Sequence, residues 1–469
     1  MIRRLVPLAS ALALAACTTV GPNYALPERA AVNLPAANGA FDSGKDEAFT
    51  QTDLPDHWWQ LYGDARLDGF IAEALAANTD LRAADANLAR ADAVVQEVAA
   101  GRTLATTASG GATLARPYGT GSGLPGTVGY DLGIGLAYPL DLSGKIRRAI
   151  EAAQGDAEAV AAARDNVRVT VAAKVARSYA AACAANRTLA ANNHVLGAQR
   201  QTLGVTKRLQ RGGRGTAFDV TRAQSVVDQS AALIPAILAT RTAALYRLAT
   251  LMGRPPADYP NDVESCATPP TMSRPIPIGD GAALIRRRPD LRAAERSLAA
   301  ATARIGVATA DLYPQVSLGG SAGFTGPLSA IGSGDAFHLG LGPLISWSFP
   351  NRPIVRARIA QAGASADAAL ATFDGSVLEA LRQTETALSA YARERDRNTA
   401  LARARASAAT AADQASKLYR FGRTDFLSLL TAQAALTTAE ANLAASDATL
   451  IDRQVDMFRA LGGGWQTPL

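Results

Sequence analysis

The sequence has three cysteines, three histidines and four methionines in 469 residues, which leaves little for metal or redox chemistry. His57, His194 and His338 are scattered, without the spacing that zinc, haem or iron–sulfur ligation needs. The chain is therefore expected to hold no metal and no cofactor. No nucleophile–base set is visible, and the glycine pairs Gly110-Gly111 and Gly319-Gly320 lie in strand-like stretches and not in phosphate loops. Enzymatic activity is not expected. The net charge is only +6, a mild bias for this length, so composition calls for no nucleic-acid partner. Past residue 17 no run of 18 uninterrupted apolar residues exists, which excludes an ordinary transmembrane helix.

What is present begins at the N-terminus. Arg3 and Arg4 precede an apolar run, Leu5 to Ala15, and then Leu14-Ala15-Ala16-Cys17. Residues 1–16 read as a signal peptide. The last four resemble a bacterial lipobox, whose cleavage would leave Cys17 as the site of covalent lipid attachment. Thr18, where inner-membrane retention would want Asp, fits sorting to the outer membrane. Residues 17–57 then form a lipid-anchored N-terminal segment, since acyl chains anchor a chain without spanning a bilayer. Of the remaining cysteines, Cys183 falls in a helical stretch and Cys266 in a linker. Export would permit a disulfide, but two idle thiols are the plainer expectation.

The chain also repeats itself. Leu209, Arg211, Gly213, Ala223, Gln224 and Gly253 return 209 residues later as Leu418, Arg420, Gly422, Ala432, Gln433 and Gly462. Asp80-Leu81-Arg82-Ala83-Ala84 returns as Asp290-Leu291-Arg292-Ala293-Ala294 at offset 210. Such spacing marks a duplicated unit: a first repeat at 58–253, an inter-repeat linker at 254–278, a second repeat at 279–462 and a tail at 463–469. Each repeat reads as helix, two strands, a very long Ala-rich helix, a Gly-marked turn and a helix back. Ser143 to Arg211 and Pro353 to Arg420 would each run roughly 100 Å at 1.5 Å per residue. Pro235 lies in the first returning helix and is expected to bend or break it.

Period-2 alternation marks the strands. Tyr130, Leu132, Ile134, Leu136, Tyr138 and Leu140 alternate with small residues and Asp131; Phe337, Leu339, Leu341, Ile345, Trp347 and Phe349 do the same. Val316, Leu318 and Phe324 alternate with polar or small residues, and a weaker Thr-rich strand covers about 102–116. Two hairpins result, about 102–140 and 315–349, with apolar residues on one face as in outer-membrane barrels. Two hairpins cannot close a barrel, and lipid does not tolerate an open edge. Other copies must complete it, and three give twelve strands with room for an aqueous lumen. The fold class is thus an α+β membrane protein: a homotrimer with a 12-stranded β-barrel, four strands per chain, continued by a 12-helix periplasmic α-barrel.

These features resemble the TolC-like outer-membrane efflux proteins, in particular the lipoprotein branch serving resistance–nodulation–division pumps. The resemblance is carried by Cys17-Thr18-Thr19-Val20-Gly21-Pro22-Asn23-Tyr24, Trp58-Trp59-Gln60-Leu61-Tyr62, Asp141-Leu142-Ser143-Gly144-Lys145, Arg287-Arg288-Pro289-Asp290-Leu291 and Asp311-Leu312-Tyr313-Pro314. It implies an exit duct that docks a periplasmic adaptor and an inner-membrane pump. Under it the turns 211–215 and 420–424 form the periplasmic tip, with Arg211, Gly213, Arg214, Arg420, Gly422 and Arg423 as adaptor-docking residues. Relatives close the tube just past the second turn. Leu427 matches the hydrophobic position of that gate, and Thr431 stands where Asp is common. Asp219 and Asp425 are further gate candidates, with helix capping as the competing reading of each. Small-molecule efflux is the expected function; a duct for one-step protein secretion and a poreless envelope scaffold are the alternatives.

Overall fold

The computed structural model describes residues 19–115, 127–266, 269, 270, 272, 274–349 and 352–463. The signal peptide, Cys17 and the tail beyond 463 lie outside them. In chain order the principal elements are α1 (Ala65–Ala77), α2 (Thr79–Ala100), β1 (Ala105–Ala115), β2 (Thr127–Leu140), α3 (Lys145–Arg211), α4 (Ala217–Leu251), α5 (Gly281–Arg287), α6 (Pro289–Ala310), β3 (Gln315–Pro327), β4 (Phe337–Ser346), α7 (Arg352–Arg420) and α8 (Phe426–Ala460). The strands are shorter than the alternation suggests: β1 starts at Ala105, and β4 ends before Trp347 and Phe349. Pro235 does not break its helix, because α4 is continuous through it from Ala217 to Leu251. Among the described residues α4 is also the one helix long and apolar enough to cross a membrane by composition. Its apolar character comes from alanine and leucine dispersed among charges, not from an uninterrupted run.

The chain divides into two compact units. The first takes the residues up to Ala30, Asn87–Ala161 and Arg292–Asp374. Its sheet has the order β1-β2-β3-β4, antiparallel throughout. Its helices approach closely because small residues meet: a Cβ on Gly155 would stand 3.0 Å from Cβ of Ala300. Arg296 bonds Glu158 at 3.3 Å and Arg304 pairs with Asp156 across the same contact.

Of the described residues, the second unit takes those within Ala31–Ala86, Ala162–Leu291 and Gly375–Leu469. Its core is built around Trp58, which stacks on Phe458 at 4.5 Å between ring centroids. The Tyr62 hydroxyl donates to Gln454 at 3.1 Å, and burial pushes its pKa far up. The repeat is visible in how each half closes. Asn78, between α1 and α2, donates from Nδ2 to the Leu251 carbonyl at 2.8 Å. Arg288, between α5 and α6, donates from Nη1 to the Ala460 carbonyl at 2.9 Å. The two carbonyls are repeat partners at the ends of α4 and α8. Cys183 and Cys266 are bonded to each other, with Cα atoms 4.9 Å apart, so the idle-thiol expectation is corrected. The bond ties the linker to α3 within the hydrophobic core.

Candidate functional site

The strand register sorts the sheet into two chemically different faces. Leu132 lies opposite Gly110 and Phe324, Ile134 opposite Ala108 and Ala322, and Tyr138 opposite Leu318. Across the next pair Val316 faces Ile345, Gly320 faces Leu341, Ala322 faces Leu339 and Phe324 faces Phe337. Directly opposed residues share a face, so one face is apolar from β1 to β4. Most of its large side chains, including Leu132, Ile134, Leu339, Leu341 and Ile345, are exposed, while Tyr130 at its end is buried. The opposite face carries Thr107, Ser109, Asp131, Ser317, Ser321, Thr325 and His338 among glycines. Leu344 is the exception on that polar face, and it lies over Gly319, where a Cβ would be 2.4 Å from Leu344 Cδ1. Among the described residues β1 pairs only with β2, and β4 only with β3, so both edges are open.

The start of the described chain is clamped to the end of this sheet's unit. Arg148, buried near the start of α3, donates to the carbonyls of Val20 and Gly21 and to Asn23 Oδ1, at 3.1, 3.2 and 2.8 Å. Val20 N–H donates to the Ser143 carbonyl at 3.1 Å, and Arg147 reaches Thr19 Oγ1 at 2.7 Å. Gly21, at φ +87°, is pressed against Gly306, whose Cα would be 2.4 Å from any Cβ on it. The clamp was not legible in the sequence. The Arg-rich start of α3 was its only sign.

The two helical turns are copies. α3 ends with Gly213 N–H donating to the Gln210 carbonyl and Arg214 N–H to Leu209; α7 ends with Gly422 N–H to Tyr419 and Arg423 N–H to Leu418. This pattern closes a helix with one left-handed residue, and Gly213 and Gly422 hold φ of +72° and +69°. Glycine takes that conformation without the steric penalty a side chain brings. Arg211, Arg214, Arg420 and Arg423 are all exposed around the turns. Arg214 extends towards the second turn, its Nη2 3.7 Å from where a Cβ on Gly422 would stand.

The carboxylates beyond the turns cap helices. Asp219 forms a capping box on α4: its Oδ2 accepts from Thr216 N–H at 3.1 Å and from the Thr216 hydroxyl at 2.7 Å, while Thr216 Oγ1 accepts from Asp219 N–H. Asp425 is the N-cap of α8, accepting from Ser428 N–H at 2.7 Å and from the Ser428 hydroxyl at 2.8 Å. The Ser428 backbone and hydroxyl bonds hold the Asp425 carboxyl below its ordinary pKa. Leu427 is exposed, and the Thr431 hydroxyl donates back to the Leu427 carbonyl at 2.9 Å. Phe218, also exposed, stands at the same place in the first half, with the Arg222 guanidinium 5.3 Å from its ring centroid. Sequence reading missed Phe218 and Arg222, although subtracting 209 from Leu427 and Thr431 points to both.

The family model for outer membrane efflux proteins matches residues 70–254 and 282–463, once for each repeat. The chain belongs to the outer membrane efflux protein family. Within this family it is 30% identical to nodulation protein T of Rhizobium leguminosarum bv. trifolii over 92% of this chain and 91% of that protein. It is 29% identical to outer membrane protein OprJ of Pseudomonas aeruginosa over 97% and 94%. Among solved structures it resembles the outer-membrane channel OprN, at 36% identity and a TM-score of 0.88, covering 96% of this chain and 100% of that one. It also resembles the open state of the Neisseria gonorrhoeae MtrE outer membrane channel, at 25% identity and a TM-score of 0.81, covering 96% and 99%. The two matched segments make the internal duplication a property of this efflux protein's family fold.

Proposed function

We propose that this efflux protein is the outer-membrane exit duct of a tripartite small-molecule efflux system. The observation that carries the reading is the sheet: among the described residues it has four strands, one largely exposed apolar face and two unpaired edges. An apolar outer face suits lipid, and unpaired backbone groups at membrane depth are too costly to leave open. Three copies pairing β4 of one with β1 of the next close twelve strands around the polar face, and their long helices form a 12-helix periplasmic barrel. The clamp supports lipid attachment at Cys17, because Arg147 holds Thr19, two residues further on, and Arg148 holds Val20 beside the strand-to-helix junction.

The exposed turns with Arg211, Gly213, Arg214, Arg420, Gly422 and Arg423 form the surface that docks a periplasmic adaptor, itself joined to a resistance–nodulation–division pump. Leu427 is the pore-facing closure residue. Asp219 and Asp425 contribute to the gate through the helix starts they cap, and Thr431 brings no charge to it. Reconstitution into liposomes tests the duct. Purified protein is expected to release an entrapped small fluorophore, and Leu427→Ser is expected to release it faster. Vesicles that stay sealed with both proteins inserted would exclude a duct.

A further inference from the structure

We propose that the turn end of the helical hairpins carries an anion-selective ring built on Arg222, so that the cargo this duct passes most readily is anionic. The proposal rests on the duct reading and on Leu427 facing the pore. The repeat then dictates what else faces it. Phe218 and Leu427 are both the second residue of their helices and are 66% and 54% exposed. Residues four apart share a helix face, so Arg222 follows Phe218 into the pore as Thr431 follows Leu427. Three chains would alternate three arginines with three neutral threonines.

The local charge is predominantly basic. Residues 207–223 contain Lys207, Arg208, Arg211, Arg214 and Arg222 against Asp219. Their repeat equivalents, 416–432, contain Lys417, Arg420 and Arg423 against Asp425. Eight basic and two acidic residues give +6 in these two windows, equal to the net charge of the whole chain, +6. Part of this is offset nearby, since Lys417 pairs with Asp413 at 2.6 Å. Both cap carboxylates are already in the count. The next acid along α4, Asp228, is six residues past Arg222, roughly 9 Å of helix rise. The guanidinium over the Phe218 ring is a cation held on an apolar side chain. At 0.1 M salt a Debye length of about 10 Å lets such a ring act across a narrow lumen, and a constriction of one sign concentrates the opposite ion.

Reversal potentials of the purified wild-type protein in planar bilayers under a potassium chloride gradient test this. Chloride is expected to be preferred over potassium by about threefold or more, with the preference fading at 1 M salt, where the Debye length is about 3 Å. Arg222→Glu is expected to bring the ratio below one and Arg222→Gln to bring it close to one. A conducting wild type that prefers potassium, or a chloride preference unmoved by both substitutions, overturns the anionic ring and leaves the duct standing. Inserted protein that carries no current contradicts the duct, and the ring with it.

Discussion

The carboxylate of Asp425 holds both the N–H and the hydroxyl of Ser428, at 2.7 and 2.8 Å, and so caps the helix that returns from the second turn. The first half uses the same two groups in exchanged places, with Thr216 at the N-cap and Asp219 three residues on. A hydroxyl and a carboxylate three apart satisfy the exposed N–H groups of a helix start in either order. The exchange Thr216→Asp with Asp219→Ser is therefore expected to leave the stability of α4 nearly unchanged, whereas Asp425→Ala removes the cap of α8 and is expected to let its first turn fray. Hydrogen exchange of the Ser428 amide reads this loss. Protection equal to wild type in Asp425→Ala would remove the cap from the account.

The same cap has a pH dependence. The Asp425 carboxyl is held below its ordinary value of 3.8, so its folded pKa is depressed and its contribution is complete above that value. The contribution is lost as the pH falls below it, towards and through the folded pKa. Protection of the Ser428 amide, corrected for intrinsic exchange, is expected to be flat from neutral pH down to mild acid and to decline below 3.8. Asp425→Asn abolishes that decline. A decline centred near neutral pH would point to another group.

The two sheet faces differ enough for adjacent substitutions to separate them. Leu132 lies on the apolar face and Asp131 on the polar one. Leu132→Asp is expected to lower the yield of folded protein in the outer membrane, at a cost on the order of 1–2 kcal/mol per copy. Asp131→Leu should insert like the wild type. Equal insertion of Leu132→Asp would mean that the faces are assigned the wrong way round.

Gly422 and Gly212 are contrasting glycines at the two turns. Gly422 sits at φ +69°, while Gly212 has an ordinary backbone and a Cβ there would meet nothing closer than 3.6 Å. Gly422→Ala is expected to destabilise its turn by about 1 kcal/mol, and Gly212→Ala to be neutral or slightly stabilising. Limited trypsin digestion at Arg423 should accelerate in the first variant only.

The disulfide spans a separation of 83 residues, and closing such a loop is worth about 2–4 kcal/mol. Cys183→Ser, Cys266→Ser and mild reduction are expected to lower the melting temperature by similar amounts, with no further loss in the double variant. Unchanged melting after verified reduction would show that the bond adds nothing to stability.

Much of this architecture was legible because periodicity and repetition are carried by many residues at once. The period of two in Tyr130 to Leu140 fixed a face without any knowledge of the partner strands, and offset 209 placed both turns. Pairwise chemistry was less legible. Nothing in the spacing of Cys183 and Cys266 favours a bond, because the proximity is made by the linker folding back onto α3. Arg148 reads as one arginine among several until the carbonyls of Val20 and Gly21 are seen around it. Asp219 and Asp425 could be gate or cap from sequence, and their hydrogen bonds place both carboxylates in caps. Of the two outcomes expected at Pro235, a bend or a break, the break does not occur: breaking is a local rule, and the long helix continues through it.

The central claim is that three chains close one barrel through the free edges of β1 and β4. The molar mass of the detergent-solubilised protein, measured by light scattering with the detergent contribution subtracted, tests it most directly. The account predicts three times the mass of a single chain. A monomer that still conducts ions in a bilayer would contradict it.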